Sequence, residues 1–181
     1  FELQAAKAGK FALPDKGEIN YAYHLDAGLY AAYLRKIFET AGVRRVEGKI
    51  ENVEQDAESG YVTGLVLASG ERIEGDLFID CTGTKSLLLG EHFGIPFQSR
   101  QAYLFNDTAL AAQVPYTEDG QAIQSCTHST AQSAGWIWDI GLSSRRGVGY
   151  TWSSAHADDA GARDELADYV ARRSGSLVSS P

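Results

Sequence analysis

The chain has 181 residues, enough for one sizeable domain or a large piece of a bigger one, and its 44% hydrophobic and 22% charged content is ordinary for a globular protein. A net charge of −8 with no basic stripe argues against a nucleic-acid partner, and no apolar run approaches the roughly 20 residues of a membrane-spanning helix. Two cysteines without a C-x-x-C pair and four dispersed histidines suggest neither a disulfide framework nor a metal site, and fit a reducing cytoplasm.

The first residues, to Lys16, have weak periodicity and no signal-peptide core, and Leu13-Pro14-Asp15-Lys16-Gly17 reads as a turn. With no methionine in the chain, Phe1 is not a natural start, and a piece of a longer protein is expected. Tyr21 to Leu25 reads as a short strand-like run. Asp26 is a good N-cap for the helix that follows. Leu29, Tyr30, Tyr33, Leu34, Ile37 and Phe38 recur at three- and four-residue steps, which predicts an apolar stripe turned toward a core, with Gly42 closing the helix. Val43 to Glu54 reads as strand material. Tyr61 to Leu67, the turn Ser69-Gly70 and Glu71 to Gly75 form a hairpin with one exposed face.

Asp76-Leu77-Phe78-Ile79-Asp80-Cys81 lacks clean alternation, as expected of a strand buried on both faces of a sheet. It runs into the small-residue turn Thr82-Gly83-Thr84-Lys85-Ser86 and an apolar helix start at Leu87. Strand, turn and helix in that order can place backbone N–H groups against a phosphate. From Pro96 the texture becomes that of an antiparallel sheet: Tyr103 to Phe105, Thr108 to Val114, Ala122 to Ser129, Gly135 to Leu142 and Gly147 to Ser153. A last helix, capped within Ser154 to Asp159, runs to about Arg172 with Leu166 and Val170 on one side. The tail 174–181 is small and polar.

Within this plan the run Gly135-Trp136-Ile137-Trp138-Asp139-Ile140 is the most specific stretch. In an extended strand residues i and i+2 share a face, so Trp136 and Trp138 stand side by side. Either they fill a core, or they form a wall beside a reactive cofactor. No G-x-G-x-x-G, G-x-S-x-G, H-E-x-x-H or Walker motif occurs. Asp26 reads as a helix cap rather than a catalytic acid, His24 as a structural histidine, and Lys7, Lys10 and Lys16 as solvated.

Tyr21 to Leu29, Gly75 to Gly83, the Trp136-x-Trp138-x-Ile140 run and Gly147 to Ser154, in this order and spacing, resemble the flavin-dependent tryptophan halogenase family. The resemblance spans roughly Asn20 to Val170. It implies an α/β fold like that of the aromatic hydroxylase flavoproteins: part of an FAD/NAD(P)-binding sheet, carrying an antiparallel β module on the substrate side. The implied division is 1–95 for the FAD-binding part, 96–155 for the antiparallel module, 156–173 for the helix and 174–181 for a flexible tail.

The implied chemistry uses reduced FAD (FADH2), O₂ and chloride or bromide. The resulting hypohalous acid travels a tunnel to an electron-rich arene such as tryptophan or indole. The implied partners are a small aromatic substrate and a separate flavin reductase; a homodimer is compatible with it, and neither a membrane nor a nucleic acid is implied. By the resemblance, Thr82 and Gly83 lie near the pyrophosphate–ribose part of FAD, and the backbone of Ile50 meets the adenine, although core packing explains Ile50 equally well. Trp136 and Trp138 would bar the arene from the flavin.

The chain departs from the family in three ways. Ile140-Gly141 replaces the family's Ile-Pro, and Trp152 stands where Tyr or Phe is more usual. The family's N-terminal Gly-rich loop, its Lys on the hypohalous acid and its later Glu are not in this segment, and Lys85 does not match that Lys. The segment alone is therefore expected to be inactive. The alternatives are an FAD-dependent aromatic monooxygenase and a non-catalytic nucleotide-binding domain.

Overall fold

The computed structural model describes residues 2–10, 20–118 and 120–174. The turn expected at Leu13 to Gly17 and the tail beyond Ser174 lie outside them. The chain divides into two compact units, Leu34–Ser99 and a second formed by Phe1–Tyr33 with Arg100–Pro181; the division falls within one helix.

The weakly periodic N-terminus forms a short helix, α1 (Glu2–Lys7). Tyr21 to Leu25 has no strand structure. Helix α2 (Ala27–Thr40) begins where expected: the Asp26 carboxylate accepts from the N–H groups of Gly28 and Leu29 at 3.0 and 3.1 Å. It ends at Gly42, whose φ of +96° is open to glycine. Its apolar stripe, however, is not turned into a core. No residue of α2 is buried, and Leu29, Tyr30, Tyr33, Ile37 and Phe38 are all exposed. The period and the caps reported the helix but not what covers it.

In the 34–99 unit, β1 (Ile50–Gln55), β2 (Val62–Leu67) and β3 (Arg72–Glu74) form an antiparallel sheet in that order. Val43 to Lys49 does not join it. Asp56 ties the first turn by accepting from the N–H groups of Glu58 and Ser59 and from the Ser59 hydroxyl. The buried strand expected at Asp76 to Cys81 is not formed. No strand among the described residues pairs with it, and Leu77 and Ile79 are 81% and 80% exposed. An apolar run becomes a doubly covered strand only when neighbouring strands and helices supply both faces. A 3₁₀ turn at Gly83–Lys85 and a π-helical stretch at Leu87–His92 follow it.

In the other unit, β4 (Thr108–Pro115), β5 (His128–Ala131), β6 (Gly135–Gly141) and β7 (Arg145–Trp152) form an antiparallel sheet ordered β4-β7-β6-β5. Tyr103 to Phe105 and 122–127 lie outside it, so two of the expected strands are absent or shortened. The connection from β6 to β7 is a tight hairpin closed by the Leu142 N–H on the Arg145 carbonyl. Helix α3 (Asp159–Ser174) starts at Asp158, whose carboxylate accepts from Gly161 N at 2.8 Å. It covers one face of the sheet, where Ile137, Val148, Tyr150 and Trp152 pack against Ala162, Leu166 and Tyr169. This is the main core of the molecule.

Candidate functional site

Strand β6 is two-faced, and its tryptophans do not share the face that packs under α3. Ile137 and Asp139 point into the core under α3 and are buried. Trp136 and Trp138, of opposite parity, therefore lie on the other face of the sheet. Trp136 is 40% exposed and Trp138 half-buried. Their rings meet edge to face, with centroids 6.1 Å apart at 63°. The pair does not fill the core; it forms an aromatic wall on the outer surface of the sheet.

The floor beside the wall is made of small residues. Trp138 faces Gly149 across the β6–β7 ladder, and Trp136 faces Thr151. Beyond β7, Gly149 pairs with Ala111 and Thr151 with Ala109. On the other side, β5 sets Ser129 and Ala131 opposite Trp138 and Trp136. Four neighbouring positions that carry at most one methyl leave the two indoles standing above their surroundings.

The opposite face anchors the wall from beneath. Arg146 donates to both carboxylate oxygens of Asp139, one contact at 3.0 Å and the other shorter, and the Tyr169 hydroxyl donates to Asp139 Oδ2 at 3.1 Å. All three residues are buried. The hydrogen bonds it donates to Asp139 hold the Arg146 guanidinium above its usual pKa, and burial pushes the Tyr169 phenol up. Burial likewise lowers His128, with Arg173 adding to the effect.

The end of β6 is braced by the segment before α2. His24 bonds the Gly141 carbonyl through Nδ1 at 3.3 Å and the Thr127 hydroxyl through Nε2 at 3.1 Å. Asp26, besides capping α2, accepts from Arg145 Nη2 at 2.7 Å. The bond from the Leu29 amide, followed by the Arg145 charge, keeps its carboxyl below the usual range. Asp26 is thus the helix cap that was expected, and His24 ties two segments together. At Gly141 the chain continues the ladder opposite Arg146. A Cβ there would come within 2.9 Å of Ile123 Cγ2.

Ile50, Thr82 and Gly83 belong to the 34–99 unit, and Trp136 and Trp138 to the other. Ile50 opens β1 opposite Leu67, half-buried. The turn after Cys81 is organised by Asp80, a residue that motif spacing did not single out. Its Oδ1 accepts from the Thr82 amide at 3.0 Å and the Thr82 hydroxyl at 2.6 Å. Its Oδ2 accepts from the amides of Leu88 and Leu89 at 2.9 and 3.3 Å. Thr82 Oγ1 in turn accepts from Leu87 N, and Ser86 Oγ accepts from Gly90 N. The Thr82 contacts, with the Leu88 and Leu89 amides, lower the Asp80 carboxyl to about 2.

This network changes the expected phosphate cradle. The first amides of the helical stretch are already bonded within the turn. The N–H groups of Gly83 and Thr84, by contrast, have no partner among the described residues. Gly83 adopts φ +69°, and nothing lies within 4 Å of where its Cβ would be. Close approach of a ligand to bare backbone fits at Gly83. The Thr82 side chain is spent on the turn itself. The signal for Asp80 was present in Asp80-x-Thr82, a spacing at which a carboxylate bonds the amide two residues on.

A mixed α/β chain with two antiparallel sheets has counterparts among known proteins. The profile of the tryptophan halogenase family matches residues 1–177, and the chain belongs to this family. It is 39% identical over 141 residues to tryptophan 7-halogenase RebH of Lentzea aerocolonigenes, an alignment covering 77% of this chain and 26% of RebH. Among solved structures it is similar to Xcc4156, a flavin-dependent halogenase from Xanthomonas campestris, with 47% identity and a TM-score of 0.84; 92% of this chain and 33% of that one are covered. A tryptophan halogenase from Shewanella frigidimarina shows 46% identity and a TM-score of 0.78 over 84% of this chain and 29% of that one. The expected α/β fold class holds. The chain spans about a third or less of the length of these relatives.

Proposed function

We propose that the whole protein is a flavin-dependent halogenase that uses reduced FAD, O₂ and chloride or bromide to halogenate an electron-rich arene such as tryptophan or indole. The observation that carries this reading is the placement of Trp136 and Trp138 on the sheet face away from the core, as a paired aromatic wall. Two adjacent aromatic rings turned out of the core present a paired apolar surface of the kind a bound molecule can cover. The names of the relatives above supply the class of reaction.

When bound, FAD supplies the oxygen chemistry. The chain's own contribution is positional. Gly83, with its open backbone, admits the cofactor's phosphate region. Thr82 shapes that turn through Asp80, and Ile50 offers backbone to the adenine. Trp136 and Trp138 would stand between the cofactor and the arene and keep the two apart. In this reading 1–95 is part of the FAD-binding region and 96–155 belongs to the substrate side. A separate flavin reductase serves as partner. Two free cysteines, Cys81 and Cys126, are compatible with a reducing cytoplasm. No described helix is long and apolar enough to cross a membrane.

The test uses the complete protein with FAD, a flavin reductase, NADH, oxygen and bromide, with tryptophan and indole as acceptors. A bromine isotope doublet in the product mass spectrum, weakened by Trp136→Ala, is the expected result. An added oxygen atom in its place, or NADH consumed to peroxide with no brominated product, rejects the reading.

A further inference from the structure

We propose that Gly149 is a positioning residue for the tryptophan wall: the bare backbone of β7 at this position is the bed on which the Trp138 indole lies, and it sets the height and tilt of the pair. The proposal deepens the reading above and rests on it for the role of the wall. Its geometric part stands on the sheet alone.

Trp138 and Gly149 are direct partners in the β6–β7 ladder. A Cβ on residue 149 would fall 2.0 Å from Trp138 Cζ2 and 2.5 Å from Cε2 and Cη2. These are three atoms of one rigid fused ring, not the tip of a flexible side chain. The ring must therefore rise or swing, and Trp136, packed edge to face against it at 6.1 Å, moves with it. The backbone gives no reason for glycine here, since φ at Gly149 is not positive. The ring alone requires it.

The same strand contains its own control. Gly147 lies two residues earlier on the same face, outside the indole's footprint, and its Cβ would meet only Arg145 Nη1 at 4.0 Å. One glycine of this strand is thus bound to the indole, and the other is free to carry a methyl group.

Four variants of the complete protein test this: Gly149→Ala, Gly147→Ala, Trp138→Ala and the double Trp138→Ala/Gly149→Ala. Two quantities are read from each: the near-ultraviolet circular dichroism band that Trp138→Ala removes, and the ratio of brominated product to hydrogen peroxide per NADH consumed. Gly149→Ala is expected to change the band and to lower the ratio by about tenfold to a hundredfold, the scale on which ångström-level misplacement of a positioned group acts. Gly147→Ala is expected to match the parent in both. The double variant is expected to match Trp138→Ala, because without the indole the added methyl has room.

Should Gly149→Ala fail to fold, a folded double variant with the properties of Trp138→Ala still carries the proposal. It is overturned if Gly149→Ala behaves like Gly147→Ala in both readings, if the single effects simply add in the double variant, or if the double variant also fails to fold. A changed band in Gly149→Ala alongside a parent-like ratio in Trp138→Ala separates the two ideas. In that case the hold of Gly149 on the indole stands and the role of the wall falls.

Discussion

The two compact units treat their apolar side chains differently. In the unit built on β4 to β7, one sheet face closes on α3 and buries Ile137, Val148, Tyr150 and Trp152 against Ala162, Leu166 and Tyr169. In the 34–99 unit, Val53, Leu67 and Leu88 are buried, while Leu77, Ile79 and Phe97 are largely exposed. In the first unit β5, β6 and β7 follow one another as hairpins, β4 pairs with β7 across a long stretch of sequence, and α3 returns to cover the sheet, so every strand finds a partner. The second carries an apolar run, Leu77-Phe78-Ile79, whose covering a local hairpin does not provide. An apolar run closes into a core where partners supply its cover, as beneath α3, and stays open where they do not, as at Leu77 and Ile79 and also at Tyr103 to Phe105 of the first unit.

The largest effect that would break this comparison is expected at Asp139. Its partner Arg146 and the Tyr169 hydroxyl are both buried on it. Asp139→Ala strands a guanidinium in the core and is expected to cost about 3–5 kcal/mol by chemical denaturation. Replacing both members of the pair by apolar residues of similar size is expected to be far milder, from near neutral to stabilising by about 1–4 kcal/mol. If the single variant loses less than the double, the pair is not the buried centre described.

The comparison sharpens with one pair of truncations. Ile137 is wholly buried, and Ile137→Ala is expected to cost about 2–5 kcal/mol. Leu77 is 81% exposed, and Leu77→Ala in the 181-residue chain is expected to stay within about 0.5 kcal/mol. Equal losses in the two variants would mean that Leu77 is covered and the contrast between units is wrong.

What was legible in the sequence follows the same line. Asp26 and Gly42 bound α2 because caps are local, but nothing local says whether Tyr30, Tyr33 and Ile37 are covered, and they are not. The hairpin β2–β3 was legible from Ser69-Gly70 between apolar runs. The strand status of Asp76 to Cys81 was not, since its apolar run reports demand for burial and not supply. Trp136 and Trp138 were correctly placed on one face of β6, yet which face was undecidable. The intervening Ile137 is equally apolar, so alternation alone does not name the core side. Gly149 was invisible for a related reason: its role depends on a ring eleven residues away, brought opposite by the hairpin register.

The smallest effect concerns the Asp80 turn and is read by acid titration. The Asp80 carboxyl is lowered from the ordinary 3.8 to about 2, chiefly by the Thr82 hydroxyl and amide, with the Leu88 and Leu89 amides adding to it. A carboxyl depressed in the folded state binds its proton more weakly there than in the unfolded chain. Its stabilisation is therefore complete above the ordinary value and is lost as pH falls through about 2. The group is half-buried and its partners all belong to the turn, so the effect is local and is best followed at the turn itself. Amide hydrogen exchange at Leu88 and Leu89, corrected for intrinsic acid dependence, is expected to lose protection between pH 4 and 2 in the parent. In Asp80→Asn protection is expected to be lower at pH 4 and flat across that window. A parent whose Asp80 titrates near 3.8, with Leu88 protection unchanged in the variant, would show that the carboxylate does not hold the turn. Gly83 would then lose the frame that presents its open backbone.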